Sequence, residues 1–284
     1  MGLRRPPRLW QSAAHTINGR AAMQMLRIHS ADAVAEFSPH GGQLLRWRAG
    51  GRERLFVSPR AVLDGSSAIR GGVPVIFPQF NARGPFVRHG FARTQRWQLI
   101  EQAEDQLRLR LIDSDATLAL WPHRFDLQLL ARITPESLSL ELSVENRDAS
   151  AFEFSCALHS YFAGAPGVTR VLGLQGCAYE EQGALHAACG QPALQPVPPL
   201  DRVYGGPAPQ LTIESPNGGL ALECEGFRDW VVWNPGPSGG TALADLGAEA
   251  AQQFLCVEPG CIFEPVRLAP GQCWRGQLRM RVLA

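Results

Sequence analysis

Alternation of apolar and polar residues recurs along this chain and limits what the chain can fold into. QLRLRL at 106–111 and LSLELSVE at 138–145 place leucine and valine on one side of an extended backbone, with arginine, serine and glutamate on the other. No long stretch follows the 3.6-residue period of a helix. These segments therefore predict half-buried antiparallel strands.

Further strand candidates follow at short intervals, punctuated by many of the 29 glycines and 22 prolines. QLTIE-SPNGG-LALECE predicts a hairpin, because Asn217-Gly218 suits a tight turn. The other candidates are MLRIHS, AVAEFS, QLLRWRA, RLFVS, WQLIEQ, FDLQLLARIT, VTRVLGLQ, WVVWN, FLCVE and QLRMRVL. Many short strands without long helices favour an all-β sandwich.

The chain shows no composition break that would mark a linker, and no internal repeat. We expect residues 24–284 to form one β-sandwich domain. Residues 1–23 are expected to be a disordered extension, or to precede a true start at Met23 or Met25. The stretch 178–209, rich in alanine, glycine, proline and glutamine, predicts a long loop or a pair of weak strands.

Charge and cysteine usage exclude several classes of protein. The 27 basic and 26 acidic residues nearly cancel, so nothing global attracts nucleic acid or an anionic membrane. Every basic residue is an arginine, which excludes Schiff-base lysine chemistry. Seven cysteines without CxxC spacing, no signal-peptide apolar run and no segment near the roughly 20 apolar residues of a membrane span predict a cytoplasmic protein. We expect a monomer.

Five segments interrupt the apolar pattern with titratable or polar side chains. They are AIRGGVPVIFPQF (68–80), RHGFART (88–94), LHSYF (158–162), DRVY (201–204) and FLCVEPG (254–260). FEFSCALHSYF reads as one strand, with its core face formed by Phe152, Phe154, Cys156, Leu158 and Phe162. His159 is then on the opposite face, beside small neighbours. Glu258 is expected at the end of an apolar strand, just before Pro259.

Taken together, these segments resemble the aldose 1-epimerase (galactose mutarotase-like) superfamily, and most closely its hexose-6-phosphate mutarotase branch. With WPHRFDL and WVVWNPGP they follow the family order from about residue 40 to residue 279. The resemblance implies a large twisted antiparallel β-sandwich that holds a sugar on a concave sheet face. It also implies that His159 and Glu258 are the catalytic pair and that the partner is a small sugar phosphate.

Interconversion of sugar anomers needs only proton transfers, so no metal or redox cofactor is expected. His159 would act as the acid that protonates the ring oxygen. Glu258 would act as the base at the anomeric hydroxyl, and the two roles would reverse on ring closure.

The resemblance also assigns binding residues. Arg70 and His89 would hold sugar hydroxyls or stabilise developing charge, and Asp201 would accept hydrogen bonds from hydroxyls. Arg93, with Arg70, would bind the phosphate through a charge-assisted guanidinium fork. Arg88 stands where the branch can carry glutamine. If 88–93 were a strand, Arg88 and Arg93 would point to opposite faces, which leaves Arg88 as a secondary candidate for phosphate contact.

Other functions are compatible with the same residues. A sugar-binding β-sandwich without turnover is one, an epimerase of free sugars is another, and a glycoside hydrolase using Glu258 and Asp201 is a third. The histidines show no ligand spacing with cysteine or carboxylate, so no zinc site is predicted. Gln79 and Phe80 are candidates for the pocket floor, and Asp245 is expected to cap a short turn.

Overall fold

The computed structural model describes residues 24–206 and 208–283, so the predictions for residues 1–23 lie outside the described residues. In this part the chain is built mainly from strands. They are β1 (Leu26–Ser30), β2 (Ala33–Ser38), β3 (Gln43–Ala49), β4 (Arg52–Glu53), β5 (Val75–Ile76), β6 (Gln98–Gln102), β7 (Gln106–Ile112), β8 (Phe125–Ile133), β9 (Ser137–Asn146), β10 (Phe152–Leu158), β11 (Tyr161–Ala163), β12 (Arg170–Leu172), β13 (Ala178–Glu181), β14 (Ala184–His186), β15 (Ala193–Leu194), β16 (Leu200–Gly205), β17 (Gln210–Glu214), β18 (Leu220–Glu225), β19 (Asp229–Asn234), β20 (Phe254–Leu268) and β21 (Cys273–Val282). The α-helices are α1 (Asp115–Leu120) and α2 (Gly236–Ala242), and short 3-10 helices lie at Ala92–Thr94, Pro166–Val168 and Ala250–Gln252.

The strands form three antiparallel sheets. The first has the order β1-β2-β3-β4, and the largest has the order β15-β12-β17-β18-β21-β9-β8-β7-β6. The remaining sheet has the order β14-β13-β16-β19-β20-β10-β5, with β11 also paired to β20. The predicted all-β, large twisted antiparallel β-sandwich is confirmed. Whether residues 24–284 form one independent domain stays a prediction.

The alternation of apolar and polar residues in the sequence matches the alternation of buried and more exposed residues along the strands. The alternating apolar residues of β9 are all buried, and they are Leu138, Leu140, Leu142 and Val144. The face of β10 predicted to be apolar joins the same hydrophobic cluster, which draws members from all three sheets. Full burial of a leucine or phenylalanine contributes roughly 1.5–3 kcal/mol, so alternation decides which face of each sheet turns inward.

Most predicted strands are present, with one clear exception. RLFVS makes only isolated bridges, Leu55 with Phe162 and Val57 with Gly71. The predicted hairpin is confirmed, since β17 pairs with β18 across Asn217-Gly218. The stretch 178–209 contains the short strands β13, β14, β15 and β16 rather than one long loop. Within the described residues, no helix is both long and apolar enough to span a bilayer.

Substitution of Gly90 tests how tightly the loop that contains this residue packs against the backbone of Phe77. Its φ is +65°, and an added Cβ would lie 2.1 Å from the carbonyl oxygen of Phe77. Gly51 has a similar φ of +73° but open space around it. Alanine at either position carries left-handed strain of about 1–2 kcal/mol, and only Gly90→Ala adds a backbone collision. We expect Gly90→Ala to lower the free energy of unfolding by about 2 kcal/mol more than Gly51→Ala in urea denaturation. Equal losses would show that the collision is relieved without cost.

Candidate active site

Two rows of side chains cross four strands on the sheet face beneath a pocket, and we call these rows the pocket floor, although only some of their members line the cavity itself. Residues directly opposite each other in antiparallel strands project from the same sheet face. One row runs over β16, β19, β20 and β11, and consists of Asp201, Trp233, Cys256 and Tyr161. In the second row Val203 lies opposite Val231, and Val231 lies opposite Glu258.

His159 completes the second row. The register is known on both sides of it, because Ala157 lies opposite Gly260 and Tyr161 lies opposite Cys256. Interpolation between these two pairs places His159 opposite Glu258. Two residues distant in sequence thus meet because β20 pairs with both β10 and β11.

The local structure around this pair differs from the prediction in two ways. His159 is not in the middle of a strand, because β10 ends at Leu158 and β11 begins at Tyr161. Glu258 is not at a strand end, because β20 continues through Pro259 to Leu268. The predicted face of His159 is nevertheless correct, since the alternation resumes after the interruption.

The side chains of His159 and Glu258 are in direct contact. Nδ1 of His159 lies 3.1 Å from Oε1 of Glu258, although these atoms are not aligned for a hydrogen bond. Both side chains are buried, with 6% and 1% of their surface exposed. Burial lowers the pKa of His159 well below its usual range, and the charges of Arg93 and Arg70 act in the same direction. Burial also raises the pKa of Glu258 well above its usual range, with a further contribution from Asp201.

Tyr161 was not predicted as a functional residue, yet it links two parts of the site. Its ring stacks on the His159 imidazole, with ring centroids 4.8 Å apart and planes 9° from parallel. Its hydroxyl accepts a hydrogen bond of 3.1 Å from Arg70. His159 and Tyr161 are two residues apart in LHSYF, so their rings project from the same face and can stack. A tyrosine in an apolar strand nevertheless gives no distinct sign of a functional role from sequence alone.

Arg70 is fixed on two sides. Besides Tyr161, its Nε donates to the Asp245 carboxylate at 3.1 Å. Burial disfavours the guanidinium charge, but Tyr161 and Asp245 outweigh burial and raise the pKa of Arg70. Asp245 lies in a turn as expected, and its carboxylate forms an ion pair with a site arginine, which was not predicted.

His89 lies in a closed loop above the floor. Its φ is +67°, a strained value for a non-glycine residue, and its backbone N–H donates to the carbonyl oxygen of Asn81 at 3.0 Å. The Asn81 N–H donates in turn to Nδ1 of His89 at 3.3 Å, which leaves Nε2 as the protonated nitrogen. Burial, with Arg93 and Arg88, lowers the pKa of His89 to about 3. His89 is therefore a neutral hydrogen-bond donor.

Arg93 lies on the 3-10 helix Ala92–Thr94, and its guanidinium donates to the carbonyl oxygen of Arg88 at 2.9 Å. Its Nε is buried without a hydrogen-bond partner, and no carboxylate in the described part of the chain forms an ion pair with it. Burial lowers the pKa of Arg93 to about 10, and Arg70 and Arg88 act in the same direction. The expectation that Arg88 and Arg93 occupy opposite strand faces is wrong, because 88–93 is not a strand.

All seven predicted site residues line one cavity of about 150 Å³. They are Arg70, Arg88, His89, Arg93, His159, Asp201 and Glu258. Phe80 lines the cavity as expected, whereas Gln79 instead binds the backbone of its own loop at Asn81 and Phe86. The cavity wall also contains Asn81, Val231, Trp233 and Leu243.

The comparisons with known proteins all point to the same family. The family model described as aldose 1-epimerase matches residues 24–281. A relative from Cenchrus ciliaris named "putative glucose-6-phosphate 1-epimerase" is 31% identical over 277 residues, covering 88% of this chain and 81% of its own. A relative of the same name from Escherichia coli K12 is 30% identical over 247 residues, covering 83% of this chain and 82% of its own.

Solved structures agree with this result. A "putative mutarotase" from Salmonella typhimurium superposes with a TM-score of 0.82 at 26% identity, covering 91% of this chain and 90% of its own. A protein from Synechocystis sp. PCC 6803 gives a TM-score of 0.77 at 23% identity, over 91% and 95% of the two chains, and shows the shared fold. The chain therefore belongs to the aldose 1-epimerase family, a family of sugar-isomerising enzymes.

Proposed function

We propose that this enzyme interconverts the α and β anomers of glucose 6-phosphate and of similar aldohexose 6-phosphates. The observation that carries the phosphate part is Arg93, a half-buried arginine whose Nε is fully buried without a hydrogen-bond partner and which pairs with no carboxylate among the described residues. An unpaired buried charge is costly, and an anionic ligand would relieve that cost. Arg88 at the cavity rim adds a second positive charge on the same side.

The sugar end of the substrate would lie over the two floor rows. The ring oxygen and the anomeric oxygen are bonded to the same carbon, so two catalytic groups in contact can reach both. His159 gives a proton to the ring oxygen while Glu258 takes the proton from the anomeric hydroxyl. The bond between C1 and the ring oxygen breaks, and the open-chain aldehyde forms. Rotation about C1–C2 and closure with reversed roles give the other anomer.

The pair can carry out this exchange with a single proton. In the sugar-free pocket, burial favours a neutral imidazole beside a protonated carboxyl group. The imidazolium and carboxylate needed for the proposed step contain the same proton, moved from one partner to the other. Hydrogen bonds from sugar hydroxyls to the carboxylate stabilise the charged form. Binding of the substrate thus prepares the acid and the base together.

Other residues would hold the sugar in place. Neutral His89 can donate from Nε2 to a sugar oxygen, and Asp201 at the exposed rim can accept from hydroxyls.

The titratable side chain in contact with Glu258 is an imidazole, which favours proton exchange over the two-carboxylate chemistry of a glycoside hydrolase.

We expect His159→Ala and Glu258→Gln each to slow catalysed anomer exchange of glucose 6-phosphate by about 10²–10⁴-fold, because each removes one proton-transfer group. Magnetisation-exchange NMR would measure the rate above the uncatalysed background, and calorimetry would measure retained sugar binding. Glu264→Gln is the matched control, since Glu264 is on the same strand β20 with 80% of its side chain exposed. Near wild-type exchange in either site variant would refute its catalytic role.

We expect Arg93→Gln to reduce the preference for glucose 6-phosphate over glucose, expressed as a ratio of kcat/KM values, by about 10- to 100-fold. This is the loss expected for a charge-assisted hydrogen bond to phosphate. Arg267→Gln serves as control, because Arg267 is 71% exposed on β20 and pairs with Glu153. A wild-type ratio near one would reject the phosphate proposal and leave an epimerase of free sugars.

A further inference from the structure

The pocket floor brings together three different metal-ligand atoms. Nδ1 of His159, Sγ of Cys256 and a carboxylate oxygen of Glu258 all lie within 4.8 Å of one another. The three side chains are buried, with 6%, 0% and 1% of their surface exposed. Cys256 and Glu258 are two residues apart on β20 and so share a sheet face, and His159 reaches them from across the interrupted β10–β11 edge.

Two atoms of this cluster lack the hydrogen bonds that buried polar groups normally make. Nδ1 of His159 and Oε2 of Glu258 are both buried without a hydrogen-bond partner. Both residues line the cavity, so a small ion can reach them from the same side as the sugar. These two unpartnered atoms lie near the Cys256 thiol. Together the three groups can donate electron pairs to a metal ion.

We propose that His159, Cys256 and Glu258 form an inhibitory binding site for a borderline-soft divalent cation such as Zn²⁺ or Cd²⁺. Nitrogen, sulfur and carboxylate ligands together match these ions better than Mg²⁺ or Ca²⁺, which prefer oxygen alone. Three protein ligands leave the fourth tetrahedral position open to the cavity.

The distances need only small side-chain movements. Zn–ligand bonds of about 2.0–2.3 Å place tetrahedral ligand atoms about 3.3–3.7 Å apart. The contact of 3.1 Å between His159 and Glu258 is already close to that value. Sγ of Cys256 must approach by at most about 1.5 Å, which rotation of the cysteine and glutamate side chains can supply.

Local charge also permits the ion. On binding, Cys256 releases its thiol proton, so a thiolate and a carboxylate face the cation. Of the arginines that act on His159, Arg70 is already paired with Asp245, whereas the unpaired charge of Arg93 opposes the cation and must be outweighed by the two anionic ligands. The ion would occupy the atoms proposed to transfer protons. Inhibition therefore rests on the proposed function, whereas binding of the ion does not.

Metal binding is tested on the full chain without a polyhistidine tag. Cd²⁺ is added at a free concentration fixed by a metal buffer, and the ultraviolet thiolate-to-cadmium absorption is followed. Zn²⁺ affinity is measured by calorimetry on the same proteins. We expect Cys256→Ser to weaken binding by at least about 100-fold, since loss of a direct ligand exceeds the 10–100-fold loss typical of a supporting group. Cys273→Ser, at an exposed cysteine, is the control expected to bind as wild type.

A second variant and a second readout keep the test decisive. Glu258→Gln should also weaken Cd²⁺ binding, whether or not it retains activity. In anomer-exchange assays the wild-type rate should fall with Zn²⁺, and the fold-inhibition should be lost in Cys256→Ser and Cys256→Ala. Binding by an inactive wild-type chain would support the metal site while rejecting the proposed function. Equal Cd²⁺ binding by wild type and Cys256→Ser would overturn the metal site.

Discussion

The pairing of β20 with strands on both of its edges is the constraint on which the whole site depends. Slippage by one residue would turn Glu258 towards the core and Val257 towards the pocket. Val257 belongs to the main hydrophobic cluster, as does Leu255 two residues earlier, so slippage would expose apolar surface along the strand. The core therefore fixes the register, and the register fixes the contact between Glu258 and His159. The geometry of the proposed catalytic pair therefore follows from core packing.

Burial gives the site two electrostatic regions with different properties. At the floor, burial drives the imidazole and the carboxyl group towards neutrality. At the side wall, Arg93 keeps a charge that burial also disfavours, because a guanidinium cannot readily lose its proton. The wall is thus the region with a cation that lacks a carboxylate partner among the described residues, and it is where we propose that the phosphate binds. At the floor the neutral pair is favoured, so the proposed proton exchange depends on the sugar to stabilise the charged form.

Local patterns predicted the fold, and the family resemblance predicted which residues share the cavity, but neither predicted how those residues are arranged. Alternation identified the strands, the core face of β10 and the pocket face of His159, because burial acts on each strand separately. It missed the interruption after Leu158 and the continuation of β20 through Pro259, since both depend on partners far along the chain. The ion pair between Arg70 and Asp245 joins positions 175 residues apart. His159 likewise lies far along the chain from Cys256 and Glu258, so the sequence showed no metal-ligand spacing for this histidine.

Arg70 and Arg93 look equivalent in the sequence, and the structure separates their roles. Arg70 is held by Asp245 and by the Tyr161 hydroxyl, and the Tyr161 ring stacks on His159. A displacement of Arg70 would therefore pass through a rigid aromatic ring to the imidazole that is proposed to transfer the proton. Arg93 forms no ion pair with a described carboxylate, and its guanidinium donates to the backbone carbonyl oxygen of Arg88. One arginine fixes the position of the proposed acid, and the other lacks a carboxylate partner and is the one proposed to bind the phosphate.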